Sequence, residues 1–275
     1  MVEKRLYQQR EEEKDIRPFQ TGTGIEYLTD EDRYGFDITG YLVLEDFLTA
    51  AQVGEATRQL QGGLAGPPDH VTLRRNGPEV ELLNVVECGG ILEQAFVHER
   101  LVEAMQQLIW GDQIRLVSSR AIVREPGISG HISQGGLADP RRYTRYRCFI
   151  DGEFRCLLVS CLIALNDTGS GDGSYSVIPS SHKSNFPHPY GGRPPEGVAA
   201  LKDLPLAAGS AVIFSESISH CMKRSRTESK FWLLYQYGPS YMVDWPGCEA
   251  SPELMRRAAA DETMARLLRK PYYHP

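Results

Sequence analysis

The side chains in this sequence that could do chemistry are scattered thiols, isolated histidines with polar neighbours, and one tight basic cluster. Cys88, Cys148, Cys156, Cys161, Cys221 and Cys248 never fall at Cys-x-x-Cys spacing, which argues against a zinc ribbon or a redox pair. A chain of 275 residues buries a sizeable core without disulfide staples, so these cysteines read as free thiols. Cys156 has neutral and basic neighbours, yet nothing near it in sequence supplies the base a nucleophile needs, and buried packing is its default role. His131 follows Gly130 in loop-like sequence, and Asp139 and Asp151 sit where an aspartate ordinarily caps a turn. Pro179-Ser180-Ser181-His182 reads as a turn, and Lys223-Arg224-Ser225-Arg226 as a solvated basic loop.

The elements that must position these residues follow from periodicity. Residues 1–28 are densely charged with little pattern and are expected to form an arm. Thr29-Asp30-Glu31-Asp32 opens a helix, Gly40 to Leu44 reads as a strand, and Leu48 to Gln61 as an amphipathic helix. Leu92, Phe96, Leu101, Met105 and Leu108 recur at helical spacing and predict one helix to Ile109. From Ile114 to Pro239 short β-branched and aromatic runs alternate with turn residues, which predicts about eight strands. Ser251-Pro252-Glu253-Leu254 opens a last helix to about Leu268. With no repeat and no linker, residues 29–275 are expected to form a single domain, mainly β with flanking helices.

Several segments in order resemble the phytanoyl-CoA dioxygenase family of iron(II) and 2-oxoglutarate-dependent oxygenases. They are Gly40-Tyr41-Leu42-Val43-Leu44 leading to Phe47-Leu48; Ala164-Leu165-Asn166-Asp167 with Gly171-Asp172-Gly173 and Ile178-Pro179-Ser180-Ser181-His182-Lys183; and Ala208-Gly209-Ser210-Ala211-Val212-Ile213-Phe214 leading to His220. The resemblance spans about residues 36 to 240 and implies a double-stranded β-helix, a cupin-like jelly roll. It implies Fe(II) and 2-oxoglutarate as cofactors and oxidation, such as hydroxylation, of a small-molecule substrate, natural-product biosynthesis being one setting.

Within that resemblance the iron ligands are a His-x-Asp pair and a later His, arranged with open positions for oxygen. His220 takes the late position and His131 the early one, but Ser133 stands where the carboxylate belongs. Registering the chain instead on Gly135-Gly136 puts Gln134 in the ligand slot. Asp139 is a candidate substitute carboxylate, although it lacks the two-residue spacing that puts side chains on one strand face; Asp151 is a weaker one. His182 is implied to belong to the scaffold. The family's arginine for the distal carboxylate of 2-oxoglutarate is replaced by Lys230, a point charge rather than a fork, with Arg226 nearby. Gln134, Tyr143, Tyr146, Arg147, Cys156, Trp232 and Tyr235 are candidates to line the substrate pocket.

Two other readings stay open. The departures fit a family member that has lost iron and acts as an iron-free catalyst, a binding protein or a partner subunit. A small residue in place of the carboxylate also occurs in halogenating relatives, although a serine is more polar than the residues usual there. Thirty lysines and arginines against 36 acidic residues give a net charge of −6, which argues against nucleic acid and anionic lipid as partners. The longest apolar run, Leu157 to Leu165, is too short to span a bilayer, and the N-terminus lacks a signal-like apolar stretch. The expectation is a cytoplasmic protein, monomer or homodimer.

Overall fold

Thr29 and Thr49 each start a helix by the same device. Each hydroxyl accepts the backbone N–H three residues on, from Asp32 and Gln52, and those two side chains return to the cap. The helices so opened are α1 (Asp30–Thr39) and, after strand β1 (Tyr41–Leu44), α2 (Ala50–Ala65). The computed structural model describes residues 28–76, 79–109, 111, 113–127, 129–136, 146–148 and 154–272.

A hairpin absent from the sequence expectation follows, β2 (Thr72–Asn76) and β3 (Glu79–Leu83). The helix expected from Leu92 to Ile109 is divided into α3 (Gly90–Gln94), a 3-10 turn and α4 (Glu99–Leu108), with extended His98 between. The break lies at His98, whose backbone leaves the helical region at ψ 128°, and the carbonyls before it are anchored by distant tyrosines, Tyr235 Oη donating to Leu92 O at 2.8 Å and Tyr237 Oη to Phe96 O at 2.5 Å.

The β region comprises β4 (Ile114–Arg124), β5 (Tyr146–Cys148), β6 (Phe154–Cys156), β7 (Val159–Ala164), β8 (Tyr175–Ile178), β9 (Lys202–Leu204), β10 (Ala211–Ser215), β11 (Ser219–Met222) and β12 (Lys230–Pro239). The C-terminal helix expected as one piece is two, α5 (Pro252–Ala258) and α6 (Glu262–Leu267), because Asp261 caps a fresh start by accepting from Met264 N at 2.9 Å.

The larger sheet runs β1-β10-β7-β12-β4-β3-β2, the smaller β11-β8-β9, and β5 pairs with β6. Residues 130–136 extend the smaller sheet beside β11, with Gly130 N, Ser133 N and Gly136 N donating to Met222 O, His220 O and Ser217 O. Strand alternation divides the core into layers. Leu233, Tyr235 and Tyr237 of β12 pack outward with the helices, in one cluster with Leu92 and Phe96. Trp232 and Leu234 point inward and meet Leu162, Tyr175, Val212 and Phe214 between the sheets. Ile132, Cys221, Val198 and Leu201 cover the far face of the smaller sheet. This double-stranded β-helix is the expected fold class. Among the described residues no helix is long and apolar enough to cross a membrane.

Candidate active site

His220 lies on β11 opposite Val177 of β8. Its ring faces the space between the sheets, with ring centroids 5.5 Å from Tyr175 and 5.2 Å from Phe214. Nδ1 lies 2.9 Å from Ile218 O, an atom that can only accept, so Nδ1 carries the proton and Nε2 keeps its lone pair. That is the tautomer in which a second-shell carbonyl orients a metal-binding imidazole.

Ser133 sits directly across from it. Its Oγ accepts from His220 N at 2.9 Å and lies 3.1 Å from His220 Nδ1. Ile132 is buried on the opposite face of the strand, so alternation places His131 and Ser133 on the face His220 shares. His131 is exposed. The hydroxyl of Ser133 is thus spent on the backbone and ring of His220, at the position where the His-x-Asp resemblance asks for a carboxylate. Asp139, Asp151 and Tyr143 lie outside the described residues. Among those described, no group of three His, Cys, Asp or Glu side chains is placed to hold a metal ion.

Deeper between the sheets, Tyr175 Oη and Trp232 Nε1 are buried and have no hydrogen-bond partner among the described residues. An orphaned buried donor costs roughly 1 to 3 kcal/mol, and an acceptor placed between the sheets would relieve it. Lys230 stands on the same face of β12 as Trp232 and is buried. Its Nζ donates to Asp167 O at 2.7 Å and to Glu228 Oε1 at 2.6 Å. Gly173 makes room for this chain, since a Cβ there would meet Lys230 Cε at 2.6 Å. The inward-facing residues thus include His220, the buried donors of Tyr175 and Trp232, and the buried Lys230.

A polar network continues along the inner face of the larger sheet. Glu216, in the turn after β10, accepts from Ser160 Oγ at 2.6 Å and Gln236 Nε2 at 2.8 Å. Gln236 Oε1 accepts from Arg120, and Arg120 reaches Glu81, which also binds Arg74. Glu216 and Tyr175 are close enough for the carboxylate to help burial hold the phenol well above its ordinary pKa.

The remaining candidates separate by layer. Trp232 faces the interior. Tyr235 belongs to the outer cluster and bonds Leu92 O, so it is not a pocket residue. Tyr146 also packs outward, with its hydroxyl on Asp37 and its ring edge-on to His182. Cys156 lies in the same outer cluster, and burial pushes its thiol up to about 12, which makes it unreactive packing. Gln134 lines a cleft of about 300 Å³ with Ile178, Phe186, His188 and Tyr190, outside the space between the sheets. Arg226 is exposed on the loop, where its backbone N–H donates to Asp172 Oδ1. Sequence reasoning missed Tyr175, Glu216 and Gln236. The alternation of Val212, Phe214 and Glu216 carried the signal for the second of them.

The phytanoyl-CoA dioxygenase family model matches residues 36–230. The chain belongs to the phytanoyl-CoA dioxygenase family. Solved structures with the same fold include HygX from Streptomyces hygroscopicus with nickel and 2-oxoglutarate bound, at 21% identity over 79% of this chain and 90% of that one, TM-score 0.68. HygX has also been solved with hygromycin B present. SnoN, a non-haem α-ketoglutarate-dependent epimerase from nogalamycin biosynthesis, is 14% identical over 80% of this chain and 87% of its own, TM-score 0.59. EctD from S. alaskensis is 18% identical over 82% of each chain, TM-score 0.61. No curated protein matches the chain.

Proposed function

We propose that the chain is an Fe(II)/2-oxoglutarate-dependent oxygenase that oxidises a small molecule, of the natural-product kind bound in the HygX and SnoN structures. The observation that carries this reading is His220, held by Ile218 O in the metal-binding tautomer with its ring beside Tyr175, whose buried Oη has no hydrogen-bond partner among the described residues. His220 and His131 would hold the metal, with Asp139 as the candidate for a recruited carboxylate. When bound there, iron would activate dioxygen as the oxidant, with 2-oxoglutarate as the cosubstrate that gives up two electrons on losing carbon dioxide. The chain's own contribution is to orient His220, to exclude water with Phe214, Leu162 and Trp232, and to receive a carboxylate on Tyr175, Trp232 and Lys230. Lys230 can do so by exchanging Glu228, whose side chain is 59% exposed and free to swing into solvent.

Anaerobic titration with Fe(II) and 2-oxoglutarate tests the reading through the weak visible charge-transfer band of a chelated ferrous ion. The band is expected in the native chain, lost in His220→Ala and kept in His182→Ala. Its absence from the native chain overturns the oxygenase reading. A second reading, a family member that has shed its iron, is favoured by Ser133, whose hydroxyl occupies the carboxylate position and is committed to His220.

A further inference from the structure

Among the described residues, two buried carboxylates face cations and Glu216 does not. Glu81 is 2% exposed and faces Arg74 and Arg120; Glu93 is 8% exposed and faces Arg257. Glu216 is 5% exposed, yet among the described residues its hydrogen bonds come from the neutral donors Ser160 and Gln236, and both fall on Oε1. Arg120, the guanidinium nearest along the network, spends Nη1 on Glu81 and Nη2 on the Gln236 carbonyl. The network is arranged so that Gln236 turns its amide donor toward Glu216 and its oxygen toward Arg120. It fixes the carboxylate in place without neutralising it.

A desolvated carboxylate without a cation is costly, and such groups are kept where a ligand supplies the charge. The position points the same way. Glu216 continues the inward-facing row of Val212 and Phe214 and lies in the turn that leads into His220. It also shares the interior with Tyr175, whose hydroxyl is buried and unpartnered.

We propose that Glu216 is a specificity-determining residue that binds a protonated amine of the substrate, with Tyr175 Oη accepting a second N–H from the same group. The substrate class is thus a small molecule bearing a primary or secondary ammonium beside the carbon presented to His220. This rests on the oxygenase reading only in calling the ligand a substrate; the ammonium site itself needs no iron.

The test uses the metal-free full chain, with cyclohexylamine and cyclohexanol as a charged and neutral pair of equal shape, titrated by calorimetry at pH 7.5. The amine is expected to bind at least tenfold more tightly than the alcohol, and Glu216→Gln to abolish that preference. The variant is expected to melt at or above the native temperature, because it removes a buried charge and keeps the Oε1 acceptor. Failure of the amine to bind, equal binding of the two, or a preference that survives Glu216→Gln overturns the proposal. So does loss of Fe(II) retention in Glu216→Gln without an amine preference, which would make Glu216 a metal ligand. The charge-transfer band of the native chain reports on the oxygenase reading independently of all these outcomes.

Discussion

At the scale of single residues, the two histidines nearest the family motifs are held for opposite purposes. His220 sits half-buried with its proton on the side away from the interior, whereas His182 is 1% exposed and donates through Nε2 to Asp37 O at 3.0 Å. Burial pushes the His182 imidazole down to about 4, so the folded protein keeps it neutral while the unfolded chain, with an ordinary value near 6.5, takes up a proton. Stability from this group is therefore complete above about pH 6.5 and is lost as the pH falls toward 4, by at most about 3 kcal/mol. Melting curves of the native chain and His182→Gln between pH 7.5 and 4.5 should show a steeper fall in the native protein; parallel falls would refute it. Lys230 belongs to the same scale. Lys230→Met should weaken 2-oxoglutarate binding by roughly ten- to a hundredfold, the worth of a charged hydrogen bond, and Glu228→Gln should strengthen it several-fold, both read by the charge-transfer titration. The histidines and Lys230 were visible in the sequence because motif spacing picks them out. Tyr175 and Gln236 were not, because their meaning lies in bonds between strands far apart in sequence.

Elements show where local signals sufficed and where tertiary packing overrode them. The helix start expected at Thr29-Asp30-Glu31-Asp32 is formed by a capping box, whereas the helix expected from Leu48 to Gln61 starts after its own cap at Thr49 and runs on to Ala65; a cap is a local bargain between neighbouring groups. The expected helix from Leu92 is interrupted at extended His98, and hydroxyls of β12, more than 140 residues away in sequence, anchor the carbonyls that precede the break. The passage from α1 into β1 turns on Gly40, at φ +88°, where an added Cβ would lie 2.5 Å from His182 Nδ1. That single contact ties the entry of the chain to the β8 turn, reinforced by Ser180 N donating to Thr39 O at 2.9 Å. Gly40→Ala should cost about 2 to 3 kcal/mol through left-handed strain and the displaced imidazole. Chemical denaturation would read it, and a loss below 0.5 kcal/mol would show that the junction relaxes freely.

Across the whole molecule, the jelly roll was legible because turn residues punctuate the β runs and the family motifs fall in order. The return of the C-terminal segment was not, for it rests on contacts between distant residues, a buried arginine among them. Arg115, 2% exposed at the start of β4, donates to Arg269 O, Met242 O and Asp244 Oδ1 at 3.0, 2.9 and 2.7 Å. Removing it would strand two carbonyls and a carboxylate whose pKa burial already raises. Arg115→Met should therefore cost about 3 kcal/mol and open the segment after β12 to proteases, measured by denaturation and limited proteolysis. An unchanged cleavage pattern would show that α5 and α6 dock without the arginine.

The order of the larger sheet has a consequence in time. Its middle strand, β12 between β7 and β4, is also the last strand along the chain. While the polypeptide emerges from the ribosome, β4 and β7 must wait with bare hydrogen-bonding edges that only residues 230–239 can close. Folding should thus be a late, slow event dominated by distant pairings, and nascent chains stalled before residue 230 should be the species that aggregate and recruit chaperones.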